Sequence, residues 1–138
     1  MNIKQLFAAD LMTRNPLSIA PTASLREAAV ILCRERLHCL LVPAEMGHCV
    51  GVITSKDIVQ ILSEGDIALL DQLHVSDAMT TPAITVQEIF KVVDCLRLMR
   101  MNGVRSVPVL RGLEPVGVLS FTDVLNAAVL DDEEVTEP

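Results

Sequence analysis

The residues of this chain best suited to chemistry stand in two near-identical turns, GVITSKD (51–57) and GVLSFTD (117–123). In each, a Gly-apolar-apolar run ends in a hydroxyl residue, Thr54 or Ser120, and three positions later comes a carboxylate, Asp57 or Asp123. That spacing is a capping box at the head of a helix, where the hydroxyl accepts from a backbone N–H and the acid complements the helix dipole. The same groups also suit a phosphorylated sugar. Open N–H groups at a helix start and the hydroxyl face an anion, while the two oxygens of an ionised carboxylate accept both hydroxyls of a ribose. A hydrogen bond of this charge-assisted kind contributes about 1.5–3 kcal/mol. Gly51 and Gly117 would let the backbone come close to such a ligand. The two roles are compatible.

Other constellations carry less. His38-Cys39 and His48-Cys49 are zinc-type ligands. In a hairpin centred near residues 45–46, however, His48 lies opposite residue 43, leaving His38 roughly 17 Å away at 3.3–3.4 Å per residue. They read as strand and core residues, and no metal is expected. There is no G-x-x-x-x-G-K-[ST] loop, H-E-x-x-H helix or G-x-S-x-G elbow. A carboxylate at a helix N-terminus is held in its charged form and makes a poor general acid, so neither catalysis nor a cofactor is expected. Met79, Met99 and Met101 read as core filler, and His74 as a surface residue without a partner.

Composition sets the setting for these turns. The 138 residues are 51% hydrophobic, enough for one ordinary domain that buries about two-thirds of its unfolded surface. With 2% aromatics and no Trp or Tyr, the core must be Leu, Val, Ile, Ala and Met, and base stacking has almost no material. The net charge is −7, but Asp131, Asp132, Glu133, Glu134 and Glu137 crowd the last eight residues; without them the balance is 11 − 13 = −2. Residues 131–138 read as a solvated, disordered tail, and no basic stripe exists for nucleic acid. No apolar run approaches the ~18 residues of a membrane span. Four cysteines without C-x-x-C spacing fit a reducing cytoplasm.

The elements that must position the turns repeat. VGVITSKDIVQIL (50–62) and VGVLSFTDVLNAA (116–128) superpose at an offset of 66. Upstream, Leu25, Ala28, Ala29 and Leu32 are apolar at helical spacing, and Val92, Cys95, Leu96 and Met99 repeat it 67 residues later. The runs CLLV (39–42) and VPVL (107–110), each followed by a short turn and VGVI (50–53) or VGVL (116–119), predict hairpins. The apolar faces after each hairpin predict a second helix. Lead-ins DLMTRNPLSI (10–19) and DAMTTPAIT (77–85) hold Pro16 and Pro82, which favour extended chain. The unit is lead-in strand, helix, strand, strand, helix, twice. Between the copies, GDIALLDQLH (65–74) is rich in Ile and Leu and reads as packed. Each unit is small for a core of its own, so the copies are expected to pack together with a cleft where they meet.

The lead-ins MTRNP and MTTP, the strand VRSVPV (104–109), its looser partner LHCLLV (37–42) and both G-x-x-T/S-x-x-D turns together resemble the cystathionine-beta-synthase (CBS) domain pair over about residues 9–130. The resemblance implies an α+β fold, a tandem CBS pair of two β-α-β-β-α repeats (9–64 and 75–130) related by a pseudo-two-fold axis, with an inter-repeat cleft. It implies a non-catalytic regulatory module binding adenosine ligands, AMP, ADP, ATP or S-adenosylmethionine, and signalling through conformational or oligomeric change. It also implies a homodimer and a separate effector protein; a ligand-free assembly module is the alternative. Carried over by position, Thr54 and Asp57 would hold phosphate or ribose at one site, and Ser120 and Asp123 at the other. Thr13, Thr80 and Thr81 would lie near the ribose or phosphate, Ile19 and Ile84 beside the adenine. His38 and Arg105 would supply a cation position. Lys56 adds a charge that Thr122 lacks, and Cys39 and Leu41 replace Ser106 and Pro108, so the two sites need not be alike.

Overall fold

The computed structural model describes residues 2–44 and 49–136. In chain order the elements are α1 (Ala8–Leu11), β1 (Thr13–Arg14), α2 (Leu25–Arg34), β2 (Cys39–Pro43), β3 (Cys49–Thr54), α3 (Ser55–Glu64), α4 (Leu69–Gln72), α5 (Val75–Ala78), β4 (Val86–Gln87), α6 (Val92–Asn102), β5 (Ser106–Arg111), β6 (Glu114–Ser120) and α7 (Phe121–Thr136). No helix among the described residues is long and apolar enough to cross a membrane.

The chain divides into two compact units, 17–83 and 1–16 with 84–138. In the 17–83 unit, α2 turns Leu25, Ala28 and Leu32 inward, and Ser24 caps it by accepting from Glu27 N. These side chains meet Leu40, Val42 and Ile53 of the β2–β3 hairpin and Ile58 of α3 in one apolar core. Ser18 bridges Leu41 in parallel and Thr80 bridges Val52 antiparallel, one on each strand of the hairpin. The stretch between α3 and α5 buries Leu70 in this core and pairs Asp71 with Arg26 at 2.6 Å, while Ile67 remains exposed.

The second unit repeats the plan with a four-stranded sheet in the order β1-β6-β5-β4. Val92, Cys95 and Met99 of α6 pack with Val107, Val109, Leu119 and Val124. No Phe is in either core: the buried side chains are Ala, Val, Leu, Ile, Met and Cys, as composition requires.

The units cut across the sequence repeats. The antiparallel lead-in on β6 is Thr13–Arg14, paired with Val118 and Gly117, and the lead-in on β3 is Thr80. The first part of each lead-in, Thr13–Arg14 or Thr80, thus joins the hairpin of the repeat it does not directly precede, while Ser18 stays on β2 of its own repeat. The short helices α1 and α5 before the lead-ins, and the extension of α7 to Thr136, differ from the sequence reading. Nothing between Phe121 and Thr136 is Gly or Pro, so the helix has no stop signal where the acidic run begins.

Met99 is fully buried, but Met101 is 77% exposed, because two residues along a helix turn a side chain to the opposite face. His74 does have a neighbour: its ring lies 3.7 Å from Asp77, which also accepts from His74 N. Cys39 pairs with Thr54 and Cys49 with Pro43, at opposite ends of the hairpin. His48 lies outside the described residues.

Candidate functional site

Both Gly-x-x-Thr/Ser-x-x-Asp turns are capping boxes, and both carry a third member from a lead-in. At the start of α3, Asp57 Oδ2 accepts from Thr54 N and Thr54 Oγ1 at 3.0 Å each, and Asp57 N donates to Thr54 Oγ1 at 3.3 Å. Asp57 Oδ1 accepts from Thr80 Oγ1 at 3.1 Å. At the start of α7, Asp123 Oδ2 accepts from Ser120 N at 2.9 Å, and Asp123 N donates to Ser120 Oγ at 3.1 Å. Asp123 Oδ1 accepts from Thr13 Oγ1, again at 3.1 Å. The same triad of cap hydroxyl, carboxylate and lead-in threonine is built twice.

The glycines serve this triad rather than a ligand. A Cβ on Gly51 would stand 3.0 Å from Thr80 O, and one on Gly117 would stand 2.8 Å from Thr13 O and 2.7 Å from Met12 Sδ. The close approach expected for a bound molecule is occupied by the lead-in backbone. Thr80 and Val52 exchange both backbone bonds there, at 2.8 and 3.0 Å.

The remaining expected site residues sort cleanly between the two units. Lys56, Thr80, Thr81 and His38 accompany Asp57 in the 17–83 unit, all exposed. Thr122, Thr13 and Arg105 accompany Asp123, also exposed, and Arg105 O accepts from Phe121 N at 2.9 Å. Ile84 packs on the core of the Asp123 unit. Ile19 is 6% exposed within the other core, its N–H bonded to Leu41 O, and offers little surface to a base.

A carboxylate has about four lone-pair positions. Three partners reach Asp57 and two reach Asp123, so Asp123 keeps more accepting capacity for a pair of hydroxyls. Lys56 and His38 stand in the Asp57 unit and Arg105 in the Asp123 unit. Among the described residues no group of His, Cys, Asp and Glu could hold a metal ion. The pairing of Thr13 with Asp123 and Thr80 with Asp57 has no sequence signal beyond the lead-in motifs themselves.

Comparison with known proteins places this architecture. The CBS domain family matches residues 8–64 and 75–130, and the chain belongs to that family. It is similar to the CBS-domain protein ATU1752 of Agrobacterium tumefaciens (28% identity, 88% of this chain and 98% of that one, TM-score 0.81). It is equally similar in fold to the CBS domain pair of protein MJ0100, solved with 5-methylthioadenosine and S-adenosyl-L-methionine (25% identity, 91% and 97% covered, TM-score 0.80). Arabinose 5-phosphate isomerase of Escherichia coli is 31% identical over 113 residues, 81% of this chain. The chain spans 34% of that isomerase's length, and between 24% and 63% of the first curated relatives it matches.

Proposed function

We propose that this chain is a non-catalytic regulatory module that binds an adenosine-containing ligand at its Asp57 and Asp123 turns. The observation that carries this reading is the triad of cap hydroxyl, carboxylate and lead-in threonine, built twice with the same 3.1 Å bond. Helix capping accounts for the Thr or Ser and the Asp, but a cap needs no third hydroxyl from a distant segment. Thr13 comes from 110 residues before Asp123, and Thr80 from 23 residues after Asp57. In this reading the carboxylate of each triad accepts the ribose hydroxyls and the helix start donates to phosphate, with Arg105 at one site, and Lys56 and His38 at the other, as the further phosphate contacts. The complex of MJ0100 with two adenosine compounds supports the ligand class.

In this reading, ribose hydroxyls compete with Thr13 and Thr80 for Oδ1 of the aspartates. Ligand therefore loosens a lead-in from the hairpin it is bonded to, which gives the bound and free chains different conformations to signal with. The module works in the cytoplasm as a homodimer and passes its state to a separate effector protein. Phe121, Leu125 and Val129, spaced one turn apart on α7, are 37–62% exposed and offer a second copy an apolar face. Beside them a groove of about 400 Å³ is lined by Leu96, Val124 and Ala128.

The test is a melting series with AMP, ADP, ATP, S-adenosylmethionine and 5-methylthioadenosine, with CMP as control. Ligand at 100 times its dissociation constant stabilises by about 2.7 kcal/mol, which raises Tm by several degrees. No shift with any adenosine compound at millimolar concentration contradicts the sensor reading and favours a ligand-free assembly module.

A further inference from the structure

Of the asparagines in this chain, Asn2, Asn15, Asn102 and Asn126, Asn102 alone is followed by glycine. The pair closes α6. Asn102 is the last helical residue, and Gly103, at φ 65, turns the chain out of the helix through the left-handed region. Gly103 N faces Arg100 O at 3.4 Å and Val104 N donates to Met99 O at 3.0 Å, the two bonds of a Schellman closure. The Asn102 side chain folds back on the same turn, its Nδ2 donating to Leu98 O at 2.8 Å.

The other repeat makes this closure without such a pair. There Leu37 N donates to Leu32 O at 3.0 Å, and Arg36 takes the left-handed conformation at φ 52. Glu35 and Arg36 stand where α6 has Asn102 and Gly103, 67 residues on. Glycine eases the backbone there, but the closure asks for no asparagine before it.

An asparagine followed by glycine carries reactive chemistry of its own. The Gly103 nitrogen, having given its proton to solvent, attacks Cγ of Asn102, and no Cβ stands in its way. The new C–N bond closes a five-membered succinimide, the Cγ–Nδ2 bond breaks, and the amide nitrogen takes a proton from solvent and leaves as ammonia. Water then opens the ring, at Cγ to give aspartate or at the main-chain carbonyl to give isoaspartate, whose backbone runs through Cγ. No oxidant, reductant or enzyme enters the balance. Asn15 lacks this route because Pro16 has no N–H, and Ile3 and Ala127 crowd the nitrogen that follows Asn2 and Asn126.

The fold decides when the reaction runs. Asn102 and Gly103 are exposed, and a Cβ on Gly103 would meet nothing within 4 Å, so water reaches both reacting groups. Both are nevertheless engaged in the closed turn, the nitrogen turned back toward Arg100 O and the amide held on Leu98 O. Ring closure therefore waits for the last turn of α6 to open, and helix ends are among the least costly parts of a fold to open.

We propose that Asn102 is a site of spontaneous covalent modification, converted to aspartate and isoaspartate when the last turn of α6 opens, and that the product holds that turn open. A carboxylate cannot donate to Leu98 O, and its charge lies against the negative end of the helix dipole. Isoaspartate also adds a methylene to the backbone just before Gly103, which draws Val104 from the core it packs on. The modified fraction thus accumulates with the time the turn has spent open.

The test is prolonged incubation of the full chain at physiological temperature in mildly alkaline buffer, with conversion at each asparagine followed by peptide mass spectrometry. The chain unfolded in urea and the variant Asn102→Gln, whose longer side chain would have to close a larger ring, are incubated alongside. Asn102 should convert ahead of the other asparagines, and more slowly in the folded chain than in urea by roughly tenfold or more. Amide hydrogen exchange at Val104 should be faster in the aged chain than in the fresh one, and unchanged by ageing in Asn102→Gln. The proposal is overturned if Asn102 stays unmodified in the folded chain while the unfolded chain converts, or if both convert at one rate. It is equally overturned if another asparagine converts first, or if Val104 exchanges alike in aged and fresh chains.

Discussion

The carboxylates of Asp57 and Asp123 each have two demands on them, the helix start that they cap and the ligand proposed for them. Removing either as Asp→Ala should cost about 0.5–2 kcal/mol of stability through the lost capping box, measured as a shift of the denaturation midpoint. Removing the threonine hydroxyl as Thr13→Val or Thr80→Val should cost about 0.5–1.5 kcal/mol, the net value of one hydrogen bond. The turns themselves were legible in the sequence because cap and acid are three residues apart and every bond between them is local. The threonines were legible only as motif positions. Which aspartate each would meet depends on a strand pairing 110 or 23 residues away, and no local rule encodes that. Lys56 and Thr122 differ in charge at equivalent places, a contrast already visible in the two aligned turns.

Among the elements, the helices and hairpins follow the apolar periodicity closely, since burial of one face decides them. The lead-ins do not, because their partners were chosen by space. Gly117→Ala places a Cβ against backbone Thr13 O, which a side-chain rotation cannot relieve, and should destabilise by about 1–3 kcal/mol. Gly51→Ala should cost less, its nearest atom being 3.0 Å away. A change in the other sense is available at the end of α2. Arg36 has φ 52, while α6 ends in Gly103 at φ 65, 67 residues on. A left-handed non-glycine residue costs about 1–2 kcal/mol, so Arg36→Gly should raise Tm by a few degrees.

Within α6, burial pushes the Cys95 thiol up to about 11 from its ordinary 9.0, with help from the charge of Asp94. The unfolded chain then loses this proton near pH 9 while the folded chain keeps it. Stability from this group is full below pH 9 and falls as pH rises toward 11. Urea titrations at pH 8 and pH 10 should show that fall, and Cys95→Ala should reduce the difference between them. Alkylation at neutral pH should modify exposed Cys33 first and leave Cys95 until the chain unfolds.

For the whole molecule, membership of the CBS family and the doubled plan were legible from internal repetition, since each copy preserves helix, hairpin and helix in order. The compact units were not, because they divide inside the lead-ins, whose first parts are exchanged between repeats, and the sequence shows only their order. The proposed homodimer contact is the apolar face of α7: Leu125→Glu should then give a monomer in sedimentation where the unsubstituted chain gives a dimer, while leaving the helical circular dichroism unchanged. The proposed function rests on the two aspartates holding the ligand, and calorimetric titration of the strongest adenosine ligand decides whether they do. Asp123→Ala and Asp57→Ala should each weaken one binding event by about 10–100-fold, the loss of one charge-assisted bond, with the larger effect at Asp123. Binding of undiminished strength and stoichiometry in both folded variants would contradict the claim and reduce the two turns to helix caps.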